Sequence, residues 1–207
     1  MVGIDEAGRG PWAGPVVAAA VILPSTPLPV RIDDSKRLSP SRREAAFAVI
    51  LEKASVGFGV VNPQIIDERN ILQATFLAMQ LAFEDLGGSA SVVLVDGNAA
   101  PKLSVFCIPV VRGDQRSLAI AAASIMAKVL RDRLMALYHE LEPRYAFNVH
   151  KGYGTPLHHQ RLKEYGSSLF HRQSFSPVKA LLDSPRSYVQ EAVEIKENFE
   201  ATAGAEQ

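Results

Sequence analysis

The stretch MVGIDEAGRGP, residues 1–11, combines an apolar strand start, two adjacent carboxylates and a Gly-Arg-Gly turn closed by a proline. Asp5 and Glu6 repel each other, so they stay together at low cost only in solvent or around a cation that both bind through oxygen. On an ideal strand they face opposite ways, so they converge only if the strand ends or bulges, or if Glu6 offers its backbone carbonyl. A metal site and a solvated charge pair beside a tight turn both fit these residues.

The turn at Gly8, Arg9 and Gly10 can bring a ligand close to the backbone. The two glycines remove side chains on both sides of Arg9 and permit positive φ. A backbone amide beside a carbonyl suits a group that both donates and accepts a hydrogen bond, and a ribose 2′-hydroxyl is such a group. A simple chain reversal fits the same residues.

Length and composition indicate one good-sized domain with an appendage, since 47% of the 207 residues are hydrophobic. Cys107 is the only cysteine, which excludes a disulfide framework and a thiol-rich metal site and is consistent with a reducing cytoplasm. No run approaches ~18 apolar residues, and the N-terminus lacks the pattern of a secretion signal. We therefore expect a cytoplasmic protein without a membrane span.

Charge is unevenly distributed, although the net charge of the chain is zero. Six acids and two bases give residues 183–207 a net charge of −4, which leaves +4 for residues 1–182. A mildly basic body is compatible with a polyanionic partner. The tail has one amphipathic pattern, at 188–199, before a C-terminus whose composition predicts disorder.

Apolar runs predict five strands: one at the N-terminus, which forms a hairpin with the second, and others at 14–23, 56–61, 91–95 and 103–111. Asp96 follows the fourth run directly, and an acid at the end of a buried strand lies at the sheet edge where sites form. An Asx turn is the alternative for Asp96. Asp114 follows the fifth run and fits either another carboxylate at the same edge or a helix cap.

Helices are predicted between and after these strands. Ser39 and Pro40 open one that reaches about residue 54, a second at 63–86 is broken near Asn70, and a long helix runs from 117 to about 141. Thr155 caps a later helix. The charges at 131–133 are expected on the outer face of the long helix, and the histidines at 158–159 on the surface.

Three further segments carry basic, hydroxyl or aromatic groups. Ser35 and Lys36 can hold a phosphate in the polar connection 32–38, although a solvated loop fits as well. Tyr153 stands between two glycines beside Lys151, and exposed aromatics next to basic residues stack on sugars and bases. A tyrosine packed in a turn is the alternative. The HRQSF segment at 171–175 repeats the combination.

Six segments match one known family in order: GIDEAGRGPWAGPVVAAAVI, DDSKRL, LVDG, RGDQRSLAIAAASIMAKVLRD, HKGYGT and HRQSF. Over residues 2–182 the chain resembles ribonuclease HII, the type 2 ribonuclease H. The resemblance implies an α/β ribonuclease H-like fold, a mixed five-stranded sheet flanked by helices with a small helical C-terminal segment. We expect a catalytic domain at 1–142, a substrate-gripping helical segment of the same domain at 143–182, and an acidic tail at 183–207, partly helical or disordered.

The resemblance assigns metal binding and catalysis to four carboxylates, those of Asp5, Glu6, Asp96 and Asp114. It implies hydrolysis of the phosphodiester 5′ to a ribonucleotide, in RNA/DNA hybrids or at single ribonucleotides in duplex DNA, leaving 5′-phosphate and 3′-hydroxyl ends. Two Mg²⁺ or Mn²⁺ ions serve the reaction, with Asp5 the natural bridging ligand. The implied role is removal of misincorporated ribonucleotides and RNA primers from DNA, in excision repair and replication.

The resemblance also implies how substrate is recognised. The turn at Gly8, Arg9 and Gly10 matches the element that reads the 2′-hydroxyl at the RNA-to-DNA step, together with Tyr153. The expected phosphate contacts are Ser35, Lys36, Lys151 and Arg172. The expected partners are RNA/DNA hybrid and ribonucleotide-containing duplex DNA, bound by a monomer; contact with a sliding clamp has no clear motif to support it.

Three rival interpretations predict different sequence features. Ribonuclease HIII lacks the Gly-Arg-Gly turn and carries an added N-terminal domain, whereas this chain has the turn and starts at the first strand. A non-catalytic hybrid-binding module has no need for all four carboxylates. A fold relative such as a Holliday-junction nuclease or integrase has no need for a ribose-reading turn.

Overall fold

The computed structural model describes residues 1–182, and the predicted acidic tail at 183–207 lies outside them. In chain order the strands are β1 Val2–Ala7, β2 Val16–Ile22, β3 Ser55–Val61, β4 Val93–Asp96 and β5 Cys107–Val110. The helices are α1 Pro40–Lys53, α2 Pro63–Arg69, α3 Ile71–Asp85, α4 Leu118–Leu141, α5 Phe147–His150, α6 Pro156–Tyr165 and α7 Ser176–Leu182. Short 3₁₀ helices lie at Gly113–Gln115 and Pro143–Tyr145.

The strands form one mixed sheet in the order β3-β2-β1-β4-β5. β2 pairs antiparallel with β1 and β3, whereas β4 pairs parallel with β1 and β5. Helix α3 packs on one face of the sheet, and α1 and α4 pack on the other. This arrangement confirms the predicted α/β fold with a five-stranded mixed sheet flanked by helices.

Small residues bring α4 unusually close to β1. A Cβ added at Gly3 would lie 2.2 Å from the carbonyl carbon of Ala119, so no larger side chain fits between strand and helix. The alanines at 121–123 are buried on the same helix. Close packing of this kind fixes the side chains of α4 relative to the end of β1, where the acids lie.

Local hydrogen bonds explain the predicted helix boundaries. Ser39 accepts from the backbone N–H of Arg42 at the start of α1, and Thr155 accepts from that of His158 at the start of α6. Asn70 has φ 66° and caps α3 through its side chain, so the chain breaks between α2 and α3 at the predicted position. Within residues 1–182, no helix is long and apolar enough to cross a membrane.

The predicted exposure of two helix residues is wrong. Arg131, expected on the outer face of α4, is fully buried, and so is His158, expected on the surface of α6. Arg131 is covered by a loop that lies far away in the sequence, and His158 packs against Trp12 and His171, as described below.

Candidate active site

A cleft of about 270 Å³ opens at the end of β1 and β4. Ten of the twelve residues predicted for the site line it: Asp5, Glu6, Gly8, Arg9, Gly10, Ser35, Lys36, Asp96, Asp114 and Tyr153. Ala7, Ser124 and Lys128 complete the lining. The structure thus brings together all four predicted carboxylates and the Gly-Arg-Gly turn.

Unequal strand lengths bring Asp5 and Glu6 into one cleft. The expectation that β1 ends or bulges at these residues is wrong, because its pairing with β2 runs on through Ala7. Its pairing with β4, however, stops at Ile4 opposite Val95. Beyond that point β1 has no strand neighbour on the β4 side among residues 1–182, so side chains from both of its faces reach the same opening.

The other two carboxylates arrive from the parallel half of the sheet. Asp96 is the last residue of β4, and its carboxylate accepts a hydrogen bond of 2.6 Å from the backbone N–H of Gly113. That bond fixes the 3₁₀ turn carrying Asp114 against the end of β4. Strand ends and one short turn therefore position the acids on backbone that the sheet holds rigid.

The cleft concentrates negative charge. Burial raises the pKa of Asp5 well above its usual range, and repulsion from Glu6 and Asp96 adds to the effect. Burial also raises the pKa of Glu6, which Arg9 opposes at 3.5 Å. Among residues 1–182, none of the three aspartates in the cleft forms an ion pair with a lysine or arginine.

The donor set of the cleft suits a hard divalent cation. Its acidic ligands are all carboxylates, and no histidine or cysteine of the described chain lines it. Burial, together with two nearby aspartates, raises the pKa of Asp114 as well. Within residues 1–182, no three histidine, cysteine or acidic side chains form a closed group at metal-binding distance.

The turn that follows the acids is open toward the cleft. Gly8 has φ 97°, a conformation that favours glycine, and a Cβ at Gly10 would meet nothing within 4 Å. Arg9 is exposed, and the ring of Tyr153 borders the same cleft with 43% of that residue exposed. Backbone and aromatic groups are therefore available to a ligand that reaches the acids.

Comparison with known proteins identifies the family. The model of the Ribonuclease HII family matches residues 2–178. A Ribonuclease HII of Chlamydia muridarum is 51% identical over 181 residues, which cover 86% of this chain and 83% of the relative. The chain belongs to the ribonuclease HII family. It is therefore a ribonuclease H, an endonuclease that acts on RNA/DNA substrates.

Solved structures share the fold of this ribonuclease HII chain at lower identity. The ribonuclease H2 from Pyrococcus horikoshii OT3 superimposes with a TM-score of 0.73, at 24% identity, over 87% of this chain and 95% of that one. Bst-RNase HIII, solved in complex with Mn²⁺, superimposes with a TM-score of 0.67, at 16% identity, over 87% of this chain and 68% of that one. Both confirm the ribonuclease H-like architecture.

The predicted phosphate contacts of the ribonuclease HII chain separate into three groups. Lys36 is exposed at the cleft, where its ammonium group is accessible. Ser35 is buried; its hydroxyl lies 3.0 Å from that of Ser124, which hydrogen-bonds to Asp5, so Ser35 supports an acid from behind. Lys151 lies outside the cleft lining, and its backbone carbonyl accepts from a buried arginine.

The prediction that Arg172 contacts phosphate is wrong for this structure. The side chain is fully buried, and its guanidinium donates to the carbonyls of Gly8, Arg9 and Gly14 at 2.6–3.0 Å. Two of its nitrogens are thus engaged by the turn and the third by Gly14. Arg172 holds the turn from below and does not face a substrate.

Two residues of α4 that line the cleft were absent from the sequence prediction. Ser124 and Lys128 are four residues apart, a spacing that places them on one face of a helix. Lys128 also pairs with Asp132 at 2.8 Å. The spacing could have indicated that they share a face, but only the packing of α4 against β1 shows that this face meets the acids.

A chain of buried histidines supports Tyr153 from behind. The backbone N–H of Ser168 donates to Nδ1 of His171, so that nitrogen has no proton and Nε2 of His171 carries one. His171 Nε2 lies 3.1 Å from Nε2 of His158 and donates to it, so His158 carries its proton on Nδ1, which donates to the carbonyl of Tyr153 at 3.0 Å. Both histidines are therefore neutral, each in a single tautomer.

Acid should destabilise the protein through this pair. Burial lowers the pKa of His158 to about 4 and that of His171 to about 3, against 6.5 in the unfolded chain. Their contribution is complete above the unfolded value and is lost as pH falls toward the folded values. Each pKa unit is worth about 1.4 kcal/mol, and each of the two histidines loses about two units by about pH 4.5, so we expect the free energy of unfolding to fall by roughly 5 kcal/mol at that pH.

Urea unfolding from about pH 7.5 to about pH 4.5 measures this loss. The cleft acids have raised pKa values, so they make the protein more stable as the pH falls and mask part of the loss. The informative quantity is therefore the difference between wild type and His158→Gln in how the free energy of unfolding changes with pH. A variant of the exposed neighbour, His159→Gln, should keep the wild-type dependence of the free energy of unfolding on pH. If His158→Gln also keeps that dependence, the pair does not titrate as the geometry requires.

Proposed function

We propose that this chain hydrolyses the phosphodiester on the 5′ side of a ribonucleotide, in RNA/DNA hybrids and at single ribonucleotides in duplex DNA, leaving 5′-phosphate and 3′-hydroxyl ends. The observation that carries the proposal is one cleft lined by both the four carboxylates and the Gly8-Arg9-Gly10 turn. A scissile phosphate at the acids places the adjoining sugar within reach of the turn. Chemistry and ribose selection then occur in one place.

Asp5, Glu6, Asp96 and Asp114 would hold two divalent ions, Mg²⁺ or Mn²⁺, in this proposal. Such ions activate water and neutralise charge on a phosphate when bound. The raised pKa values of the acids favour a cation, because a positive charge relieves their mutual repulsion. The Mn²⁺ complex of the related fold Bst-RNase HIII is consistent with the choice of metal.

The remaining cleft residues bind and orient the substrate. Backbone groups of the turn would exchange hydrogen bonds with the 2′-hydroxyl, and the ring of Tyr153 would stack against the neighbouring sugar or base. Lys36 and Lys128 present ammonium groups to phosphate oxygens. These contacts would align one phosphodiester with the acids and reject a deoxyribose that lacks the hydroxyl.

The C-terminal helical segment, residues 143–182, would grip the duplex beside the cleft and carry Tyr153. It is joined to the segment that follows the turn by an antiparallel bridge between Ala13 and His171. A chain that cuts beside single ribonucleotides suits their excision from DNA after misincorporation, and removal of RNA primers follows from the same chemistry. Both roles belong to replication and repair.

A labelled DNA duplex with one ribonucleotide, its all-DNA twin and a long RNA/DNA hybrid test the proposal in Mg²⁺, Mn²⁺ or chelator. We expect a metal-dependent cut immediately 5′ of the ribonucleotide, no cut of the twin, and a 3′-hydroxyl product that a polymerase extends. Cleavage of the twin, a cut on the 3′ side, or full activity in chelator would contradict it.

A further inference from the structure

Two arginines are buried beneath the turn without an acidic partner. Arg131 and Arg172 are both fully buried, and within residues 1–182 neither forms an ion pair. A buried charge is costly unless hydrogen bonds compensate it. Here every hydrogen-bond acceptor is a backbone carbonyl, so we look for the role of these arginines in the backbone that they hold.

The two guanidinium groups bind different backbone carbonyls of the same segment, residues 8–15. Arg172 donates to the carbonyls of Gly8, Arg9 and Gly14, and Arg131 donates to those of Ala13 and Pro15 at 3.2 and 3.0 Å. Five carbonyls of the segment 8–15 therefore accept from two planar forks. A fork with fixed donor directions fixes the orientation of each peptide that it contacts.

Arg131 also contacts the second element of the cleft. Its Nη1 donates to the carbonyl of Lys151 at 3.0 Å, and the guanidinium lies 5.8 Å from the centre of the Tyr153 ring. A Cβ at Gly8 would lie 2.0 Å from Nε of the same arginine. One side chain thus sets the distance between the turn and the loop that carries Tyr153.

We infer that Arg131 and Arg172 are positioning residues for ribose selection, which hold the Gly8-Arg9-Gly10 turn and Tyr153 in the arrangement that reads a single 2′-hydroxyl. The inference rests on the proposed function. It predicts that these arginines matter most where the substrate offers one ribose. A long hybrid has a 2′-hydroxyl at every position of its RNA strand, so a displaced turn can still find one. An isolated ribonucleotide has only one, so the turn must be correctly placed to read it.

The burial of both arginines and the anchoring of the loop after Arg172 agree with a positioning role. Burial lowers the pKa of Arg131, and it lowers that of Arg172 to about 9, with further repulsion from Arg131. Asp67 on α2 holds the backbone N–H groups of Gln173 and Ser174 at 2.9 Å, so the loop after Arg172 is anchored as well. Arg131 is therefore held on α4, and the loop that carries Arg172 is held by α2.

Arg131→Lys and Arg172→Lys test the inference, because lysine keeps the charge and loses the fork. The readout is kcat/KM on the single-ribonucleotide duplex divided by kcat/KM on the long hybrid. We expect this ratio to fall about 10- to 100-fold, the effect of a displacement of about 1 Å at a reacting group, while the metal concentration for half-maximal hybrid cleavage stays unchanged. Arg133→Lys, an exposed arginine two residues along α4, should keep the wild-type ratio.

The outcomes separate the inference from the proposed function. If wild type fails to cut beside the single ribonucleotide, the proposed function is wrong. If wild type cuts there and folded lysine variants keep the wild-type ratio, or lose both activities equally, the inference is wrong. Should a variant fail to fold, NMR of the wild type decides, since the Nε–H groups of Arg131 and Arg172 must exchange far more slowly than those of exposed arginines. Exchange at the exposed rate would overturn the inference.

Discussion

Asp5→Asn is expected to reduce cleavage of every substrate by at least about 1,000-fold while substrate binding is retained. The carboxylate is the most buried of the four acids, and Glu6 and Asp96 both repel it, so it is central to the proposed metal site. Charge stabilisation by metal is worth several kcal/mol, and about 4 kcal/mol corresponds to a factor of roughly 1,000. Single-turnover cleavage and fluorescence anisotropy with labelled duplex measure the two effects.

The same substitution should stabilise the metal-free fold. Because the pKa of Asp5 is raised in the folded state, its ionised form opposes folding at neutral pH, and asparagine removes that charge. A higher melting temperature together with lost activity distinguishes a functional acid from a structural one. Glu44→Gln, an exposed acid on α1, should leave both unchanged. Retained activity in Asp5→Asn, or lost binding, would contradict the assignment.

Features with a local cause were predictable from sequence. Three helices are each capped by a side chain that accepts a hydrogen bond from a residue two or three positions away. These side chains are those of Ser39, Asn70 and Thr155, so the local sequence was enough to locate these boundaries. Apolar runs likewise located the five strands, and the matching segments ordered them into the known fold. The position of Asp96 at the end of a buried strand followed from the same reasoning.

Features with a distant cause were not predictable from local pattern. Arg131 bonds to Pro15, 116 residues away, and Arg172 bonds to Gly14, 158 residues away. In sequence, each resembles an exposed basic residue, because no local pattern indicates which loop will cover it. His158 was misplaced for the same reason, since its ring packs against Trp12, which no local pattern places beside it.

The meeting of Asp5 and Glu6 shows a different limit. Sequence indicated that two neighbours on a strand need a special geometry to share a site, and it offered a strand end, a bulge or the backbone carbonyl of Glu6 as solutions. The sheet solves it instead by stopping β4 earlier than β1, so the cause lies in a strand about 90 residues further along the chain. Relative strand length is a property of the assembled sheet.

Gly8→Ala is expected to abolish cleavage at a single ribonucleotide, with a loss of at least about 100-fold. Alanine at φ 97° is strained, and its Cβ would lie 2.0 Å from Nε of Arg131, so the turn must move away from that arginine. Gly87→Ala is the matched control, because Gly87 has φ 108° with nothing near its Cβ. Both variants should lose about 1–3 kcal/mol of stability to backbone strain, to which Gly8→Ala adds the clash with Arg131, but only Gly8→Ala should lose cleavage at the single ribonucleotide. Equal activities in the two variants would mean that the turn does not read the ribose.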